Sequence, residues 1–238
     1  MKDSKWSENV ILVDADYVDK VTFDLIVNFE RMIGRRIPKA DMARWLECVA
    51  LDGGIRLDKE QGARSKGQGA RGKEQGARGK GQEDTSAADI SPASTQVILL
   101  HKQQEMKNFV PGAFSELDGQ AFKGALGEFL ISCVVVEDMV TPDDLFVDSL
   151  QVISNAAEVR RLIVVPNAEH IYNKVREGLR HADPDKHTTV LTMQPMEGGQ
   201  FRQEILGYSL MAALGIRSEE LTEGQGARSM GQENSNFI

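Results

Sequence analysis

The sequence predicts an α/β protein, a single, mainly parallel five-stranded sheet with helices on both faces. Three observations predict it. Short runs rich in Val, Ile and Leu recur at 9–14, 96–100, 129–136, 161–165 and 188–193. Apolar runs of that length without polar alternation suit strands buried on both faces, as in parallel sheets. Between them lie segments with apolar residues at helical spacing, long enough to cross from one parallel strand to the next.

Each element follows in order. The run Val10-Ile-Leu-Val-Asp14 makes the first strand, expected near the centre of the sheet. Residues 22–34 carry Leu25, Ile26, Phe29, Met32 and Ile33 at helical spacing, and Gly34 supplies the stop. Pro38 opens a second helix with Met42, Trp45, Leu46 and Val49, closed by Gly53 and Gly54. Residues 96–100 form the second strand. Residues 109–127 fit no single element, because Gly119, Gly124 and Gly127 weaken a long helix. Residues 129–136 are rich in β-branched residues and form the third strand. Thr141-Pro-Asp-Asp144 starts a helix that reaches about residue 157, with Pro at its first position and Asp144 at the capping-box acid. The fourth strand is 161–165, ended by Pro166; a helix follows over 168–180 and the fifth strand over 188–193. The last helix, 200–214, stops at Gly215. Ile205, Leu206, Tyr208, Leu210 and Met211 make it apolar on more than one face, which predicts deep burial or a homodimer contact.

The chain has 238 residues, 41% of them apolar and 27% charged. This composition excludes a collagen, a disulfide framework and a wholly disordered chain. It suits one domain, read as residues 6–221. Two cysteines, Cys48 and Cys133, are too few for a staple network and lack CxxC spacing, which argues against structural zinc. No apolar stretch approaches the roughly 20 residues of a membrane span, and no signal peptide is present, so the expectation is a soluble, cytoplasmic protein. An insertion is read at 59–94. It contains three seven-residue units, GARSKGQ, GARGKEQ and GARGKGQ, and a fourth copy, GARSMGQ, stands in the tail, 222–238. No position of the unit bears a large apolar side chain, so both segments are expected to be disordered. Residues 59–82 carry seven Lys and Arg against two acids. Without them the chain has 21 basic and 34 acidic residues, a poor balance for general polyanion binding.

In parallel sheets, ligands bind beyond the carboxyl ends of the strands. The first strand ends Asp14-Ala-Asp16, and paired carboxylates there suit a divalent cation; Asp16 or Asp19 would otherwise cap the next helix. The fourth strand leads into Asn167-Ala-Glu169-His170. Asn167 fits a helix cap, Glu169 complements the helix dipole, and His170 and His101 are lone histidines. Asp148 lies mid-helix. His181 and His187 show no metal-ligand spacing. The chain has no GxxxxGK[ST], no GxGxxG after a strand and no GxSxG, which removes the P-loop, the standard dinucleotide fingerprint and the α/β-hydrolase elbow.

The pattern Val10-Ile-Leu-Val-Asp14-Ala-Asp16, the helical Asp148 and Arg161-Leu-Ile-Val-Val-Pro-Asn-Ala-Glu-His170 resembles PIN-like domains, particularly their NYN branch. That resemblance implies a PIN-like, Rossmann-like sheet and a nuclease that hydrolyses RNA. Asp14, Asp148 and Glu169 would be catalytic, and Asp14, Asp16, Asp148 and Glu169 would hold Mg²⁺ or Mn²⁺. The family's Ser-Gly is replaced by Val165-Pro166, and its first terminal acid by Asn167. Leu117-Asp-Gly-Gln-Ala-Phe122 and Gln203-Glu-Ile-Leu-Gly-Tyr-Ser-Leu210 are similar to a family of uncharacterised bacterial proteins, which implies the same fold and no established activity. Asp14-Ala-Asp16 is also similar to haloacid-dehalogenase phosphatases, although Val18 occupies their threonine position. Two function classes follow: a degenerate PIN-like metal-dependent nuclease, and a non-catalytic module that binds a protein or ligand.

Overall fold

Strand β1 (Asn9–Asp14) is buried along almost its whole length and lies in the middle of the sheet. The computed structural model describes residues 6–56, 94–180, 182–217 and 219–221. The 222–238 tail, and the 59–94 insertion apart from Ser94, lie outside the described residues.

Beyond β1 come α1 (Ala15–Ile33), β2 (Ala40–Asp41), α2 (Met42–Asp52), β3 (Ser94–His101), β4 (Phe109–Val110) and the short α3 (Phe114–Leu117). Then follow β5 (Ala121–Gly124), β6 (Gly127–Val135), α4 (Pro142–Asn155), β7 (Arg161–Val165), α5 (Ala168–Gly178), β8 (His187–Thr192), β9 (Arg202–Ile205) and α6 (Leu206–Ala213). The sheet has seven strands in the order β5-β6-β3-β1-β7-β8-β9, and β2 and β4 form a separate parallel pair. All neighbours in the large sheet run parallel except β5, which is antiparallel to β6.

The fold class is α/β with a mostly parallel sheet, but the count of five strands is corrected to seven. One added strand, β5, pairs with β6 through a tight turn in which Gly124 faces Gly127. Its glycines mark a hairpin, which is why residues 109–127 resisted a helical reading. The other, β9, replaces the first turn of the expected 200–214 helix. Val190 of β8 pairs with Gln203, and the Gln203 amide donates to the carbonyls of Met196 at 2.9 Å and Gly198 at 3.2 Å. These bonds hold the segment extended.

Side chains of successive strand residues point to opposite faces, so the sheet divides the core in two. Ile11, Val13, Val97, Leu99, Ile163, Val165 and Leu191 face α1, α2 and α6. Val10, Leu12, Ile98, Leu100, Leu162, Val164 and Val190 face α4 and α5. Trp45 is fully buried in the first layer, against Phe109 at 5.4 Å between ring centroids. The apolar α6 buries Leu206 and Leu210 there, leaving Tyr208 exposed.

Caps set the helix limits. The Asp14 carboxylate accepts the Tyr17 amide at 3.0 Å, so α1 begins at Ala15, well before the expected residue 22. Its end is as expected: Gly34 adopts φ 76° and donates its N–H to the Glu30 carbonyl. Asp41, not Pro38, starts α2, its carboxylate accepting the Arg44 amide at 2.8 Å. Thr141 caps α4, and Pro142 occupies its first turn as the sequence predicts. Among the described residues, no helix is long and apolar enough to cross a membrane.

Candidate functional site

From β1 the chain moves outward through β3 to β6, then crosses back over the sheet to β7 and moves outward the other way through β8 to β9. The direction reverses between β1 and β7. In open parallel sheets, the loops leaving two such strands part at this reversal, and ligands bind in the crevice between them. Asp14, Asp16 and Tyr17 reach it from β1 and α1; Asn167, Glu169 and His170 come from β7 and α5.

Asp14 is the centre of this group. It is only 9% exposed, and burial raises its carboxyl from 3.8 to about 6. The bond from the Tyr17 amide opposes that rise, the charges of Asp16 and Asp143 add to it, and His170 offsets part of it. Tyr17, 3% exposed, has its hydroxyl pushed up to about 12 by burial and then by the charges of Glu169 and Asp14. That hydroxyl stays protonated at neutral pH. Among the described residues, the buried Tyr17 Oη and Asn167 Oδ1 have no hydrogen-bond partner. The Asn167 amide nitrogen lies 3.3 Å from His170 Nδ1. The charge of His170 reaches Asp14, and those of Glu169 and Asp14 reach Tyr17, so these groups gather with Asn167 at one sheet edge, with a carboxyl that titrates near 6 and two unsatisfied polar atoms.

The remaining residues singled out from the sequence have other surroundings. Asp16 accepts the backbone N–H of Lys102 at 2.8 Å and of Gln103 at 3.3 Å, tying α1 to the loop after β3. The cap of α1 is Asp14, not Asp16 or Asp19. Asp19 instead accepts the Asn108 amide at 2.8 Å. His101 is buried, its Nδ1 2.8 Å from the Gln103 carbonyl and its ring stacked on Phe114. His187 is exposed at the start of β8, and His181 lies outside the described residues. Burial raises both cysteine thiols, Cys133 to about 12, so neither is an activated nucleophile.

Asp148 stands apart from Asp14. Helix α4 starts at the carboxyl edge and runs away from it, so Asp148 lies about 7.5 Å further along the axis than Asp143. It is exposed and lines an apolar groove of about 380 Å³ with Trp6, Leu100, Val134, Leu145 and Val152. The helical acid whose charge reaches Asp14 is Asp143. The sequence carried a signal for it: an acid in the first turn of a helix that follows a parallel strand falls at the carboxyl edge. Asp144 beside it receives the Thr141 hydroxyl at 2.7 Å and Lys174 Nζ at 3.0 Å, which hold its carboxyl below the usual range.

A divalent ion needs several oxygen ligands within about 2.0–2.6 Å. Among the described residues, no group of three or more His, Cys, Asp or Glu side chains is arranged to hold a metal ion. Asp14, Asp16, Asp148 and Glu169 thus do not form a metal cage in this structure. The chemistry on offer is a buried carboxyl that changes charge near pH 6, a hydroxyl that can donate and a carbonyl that can accept.

No curated protein and no solved structure matches the chain. A family model does, over residues 3–63 and 87–221, and the match passes over most of the mid-chain repeats. By that match, the chain belongs to a family of unknown function, DUF6621.

Proposed function

We propose that this chain is a non-catalytic α/β module that binds a small ligand with a cationic, hydrogen-bond-donating head in the crevice around Asp14. The observation that carries this reading is the pair of buried, unpartnered polar atoms, Tyr17 Oη and Asn167 Oδ1, beside a buried carboxyl. Each such atom costs about 1–3 kcal/mol unless a partner satisfies it. A donor head would satisfy Asn167 Oδ1, and its charge would balance Asp14 as a carboxylate. Glu169 adds further negative charge at the crevice. The parallel strands run β6-β3-β1-β7-β8-β9, which is 3-2-1-4-5-6 in chain order and supports the PIN-like, Rossmann-like reading of the fold.

The charges of Asp16 and Asp143 acting on Asp14 favour a second reading, the degenerate metal-dependent nuclease. There Asp14 and the acids whose charges reach it would hold Mg²⁺ or Mn²⁺ and the substrate would be RNA. The two readings make opposite predictions in calorimetry of the full chain. Agmatine serves as the organic cation and MnCl₂ as the metal, each against KCl at matched ionic strength. On the binding-module reading, agmatine raises the melting temperature of the wild type but not of Asp14→Asn or Tyr17→Phe, and Mn²⁺ acts no differently from KCl. Stabilisation by Mn²⁺ that disappears in Asp14→Asn would replace this reading with the nuclease. A chain indifferent to both would remove the crevice as a cation site.

A further inference from the structure

The amino edge of the same sheet carries charge of the opposite sign. Arg161, His187 and Arg202 are the first residues of β7, β8 and β9, three adjacent parallel strands. Arg161 is in register with His187, and Arg202 with Thr189. Parallel strands begin on one edge, so these side chains collect beside the Gly53-Gly54 turn that ends α2. We propose that this edge is an anion-binding site, built on Arg161 and Arg202, for the phosphoryl group of a small phosphorylated ligand.

The geometry comes first. Arg161, Arg202, His187, Thr188 and Gly53 line a cavity of about 420 Å³. Two guanidinium groups approach one point. A Cβ added to Gly54 would stand 2.9 Å from Arg161 Nη1 and 3.8 Å from Arg202 Nη1. Gly54, at φ 83°, leaves that space open. Arg161 Nη1 donates to the Gly53 carbonyl at 2.8 Å, and among the described residues Arg161 makes no ion pair. A guanidinium has five N–H donors in a planar fork, so most of this one is uncommitted.

The electrostatics agree. Burial, and then the charges of Arg56 and Arg202, pull Arg161 below its ordinary pKa. Like charges held near a half-buried group are costly, and an anion between them relieves that cost. The acids facing the cluster are Glu204, whose Oε1 takes both Nε and Nη2 of Arg202, and Asp52, whose own pKa burial and the Glu204 charge raise. They stand against three arginines. Lys186 lines the same cavity but donates to the carbonyls of Ser154 at 2.7 Å and Ala156 at 2.8 Å, so it adds charge without being free to move. This basic pocket belongs to a chain of net charge −8. A phosphoryl group fits it better than a carboxylate, because its three oxygens can accept from the free N–H groups of Arg161 and from Arg202 Nη1 at once.

Calorimetric titration of the full chain tests the site with sodium pyrophosphate, ADP and a short single-stranded RNA, each against KCl at matched ionic strength. Pyrophosphate should bind, and Arg161→Gln and Arg202→Gln should each weaken it about tenfold or more, the effect of losing one charge-assisted bond. Lys20→Gln, on the exposed face of α1, should leave binding unchanged. ADP binding tighter than pyrophosphate places a nucleoside beside the phosphoryl group, and equal binding assigns the affinity to the phosphoryl group alone. Arg161 also supports the Gly53 turn, so melting curves accompany each variant, and Arg202→Gln, on an edge strand, remains informative if Arg161→Gln misfolds. Failure of pyrophosphate to bind, binding that survives both substitutions, or binding of RNA alone would overturn the proposal.

Discussion

Replacing Asp14 by Asn tests the electrostatics of the crevice directly. The folded chain raises this carboxyl from 3.8 to about 6, chiefly by burial. A raised acid favours the folded state while it is protonated. That advantage is complete below the unfolded pKa and is lost as pH rises through the folded one. At pH 7 the ionised Asp14 therefore lowers stability by about 3 kcal/mol relative to an unperturbed carboxyl, at 1.36 kcal/mol per pKa unit. At pH 4 the same linkage leaves less than about 1 kcal/mol. Asn keeps the cap on the Tyr17 amide, since Asn and Asp are comparable N-caps. Asp14→Asn should thus be more stable than the wild type by about 2 kcal/mol at pH 7, a rise of about 4–8 °C in melting temperature for a chain of this size. The gain should shrink steadily towards pH 4. Urea denaturation of both proteins from pH 4 to pH 8 measures it, and taking the difference at each pH cancels the other titrating groups. A loss of stability at pH 7, or a difference that does not change with pH, would refute the argument and make Asp14 a structural acceptor whose charge the fold requires.

Three further outcomes are expected. Gly53→Ala should lose about 1–3 kcal/mol in chemical denaturation, because its Cβ would overlap the Ile163 side chain in the core. Lys186→Met should lose about 1–2 kcal/mol, because Lys186 Nζ satisfies the carbonyls of Ser154 and Ala156 at the end of α4. Deleting residues 62–82 should leave the melting temperature within a few degrees, since they bear no large apolar residue and the family match omits most of them; loss of cooperative unfolding would show that the segment belongs to the fold.

The apolar runs made the parallel core legible, because burial on both faces leaves a plain mark in composition. The added strands β5 and β9 left no such mark. Residues 121–124 and 202–205 are half exposed and pair at the margins of the sheet, so their sequences alternate weakly and carry glycine or charge. Helix α1 was legible from its apolar stripe and its glycine stop. Its start was missed because Asp14 serves as both the last residue of a strand and a helix cap. In the crevice, Asp14 and Glu169 were legible as acids next to strand ends. Tyr17 was not, since a buried tyrosine at helical spacing looks like ordinary core until its hydroxyl is found without a partner. Asp148 came from the PIN-like resemblance, which supplies an acid on the helix but not its height above the sheet. Height along α4 decides which acid reaches Asp14, and height follows from where the helix begins.

The same reasoning from position explains why the two edges of one sheet carry charges of opposite sign. In a parallel sheet every strand starts on one edge and ends on the other. Residues at or just beyond strand ends meet at the carboxyl edge, here Asp14 and Asn167, and the helices that follow put their first-turn acids there, where carboxylates complement the positive end of the helix dipole. Residues that open strands meet at the amino edge, here Arg161, His187 and Arg202. Helix C-termini also point to that edge, and Lys186 and Arg56 donate to their carbonyls. Complementing the dipoles therefore separates acids from bases without reference to any ligand, and by itself implies no site. What exceeds that requirement is specific: Asp14 is buried although it titrates near pH 6, and Arg161 lies beside two other arginines without an acid of its own. Dipoles favour a charge in the first or last turn but do not bury it or crowd it with its own kind. Those two side chains are where the fold holds charge at a cost that helix capping does not explain, and they are the positions at which a bound ligand would change stability most.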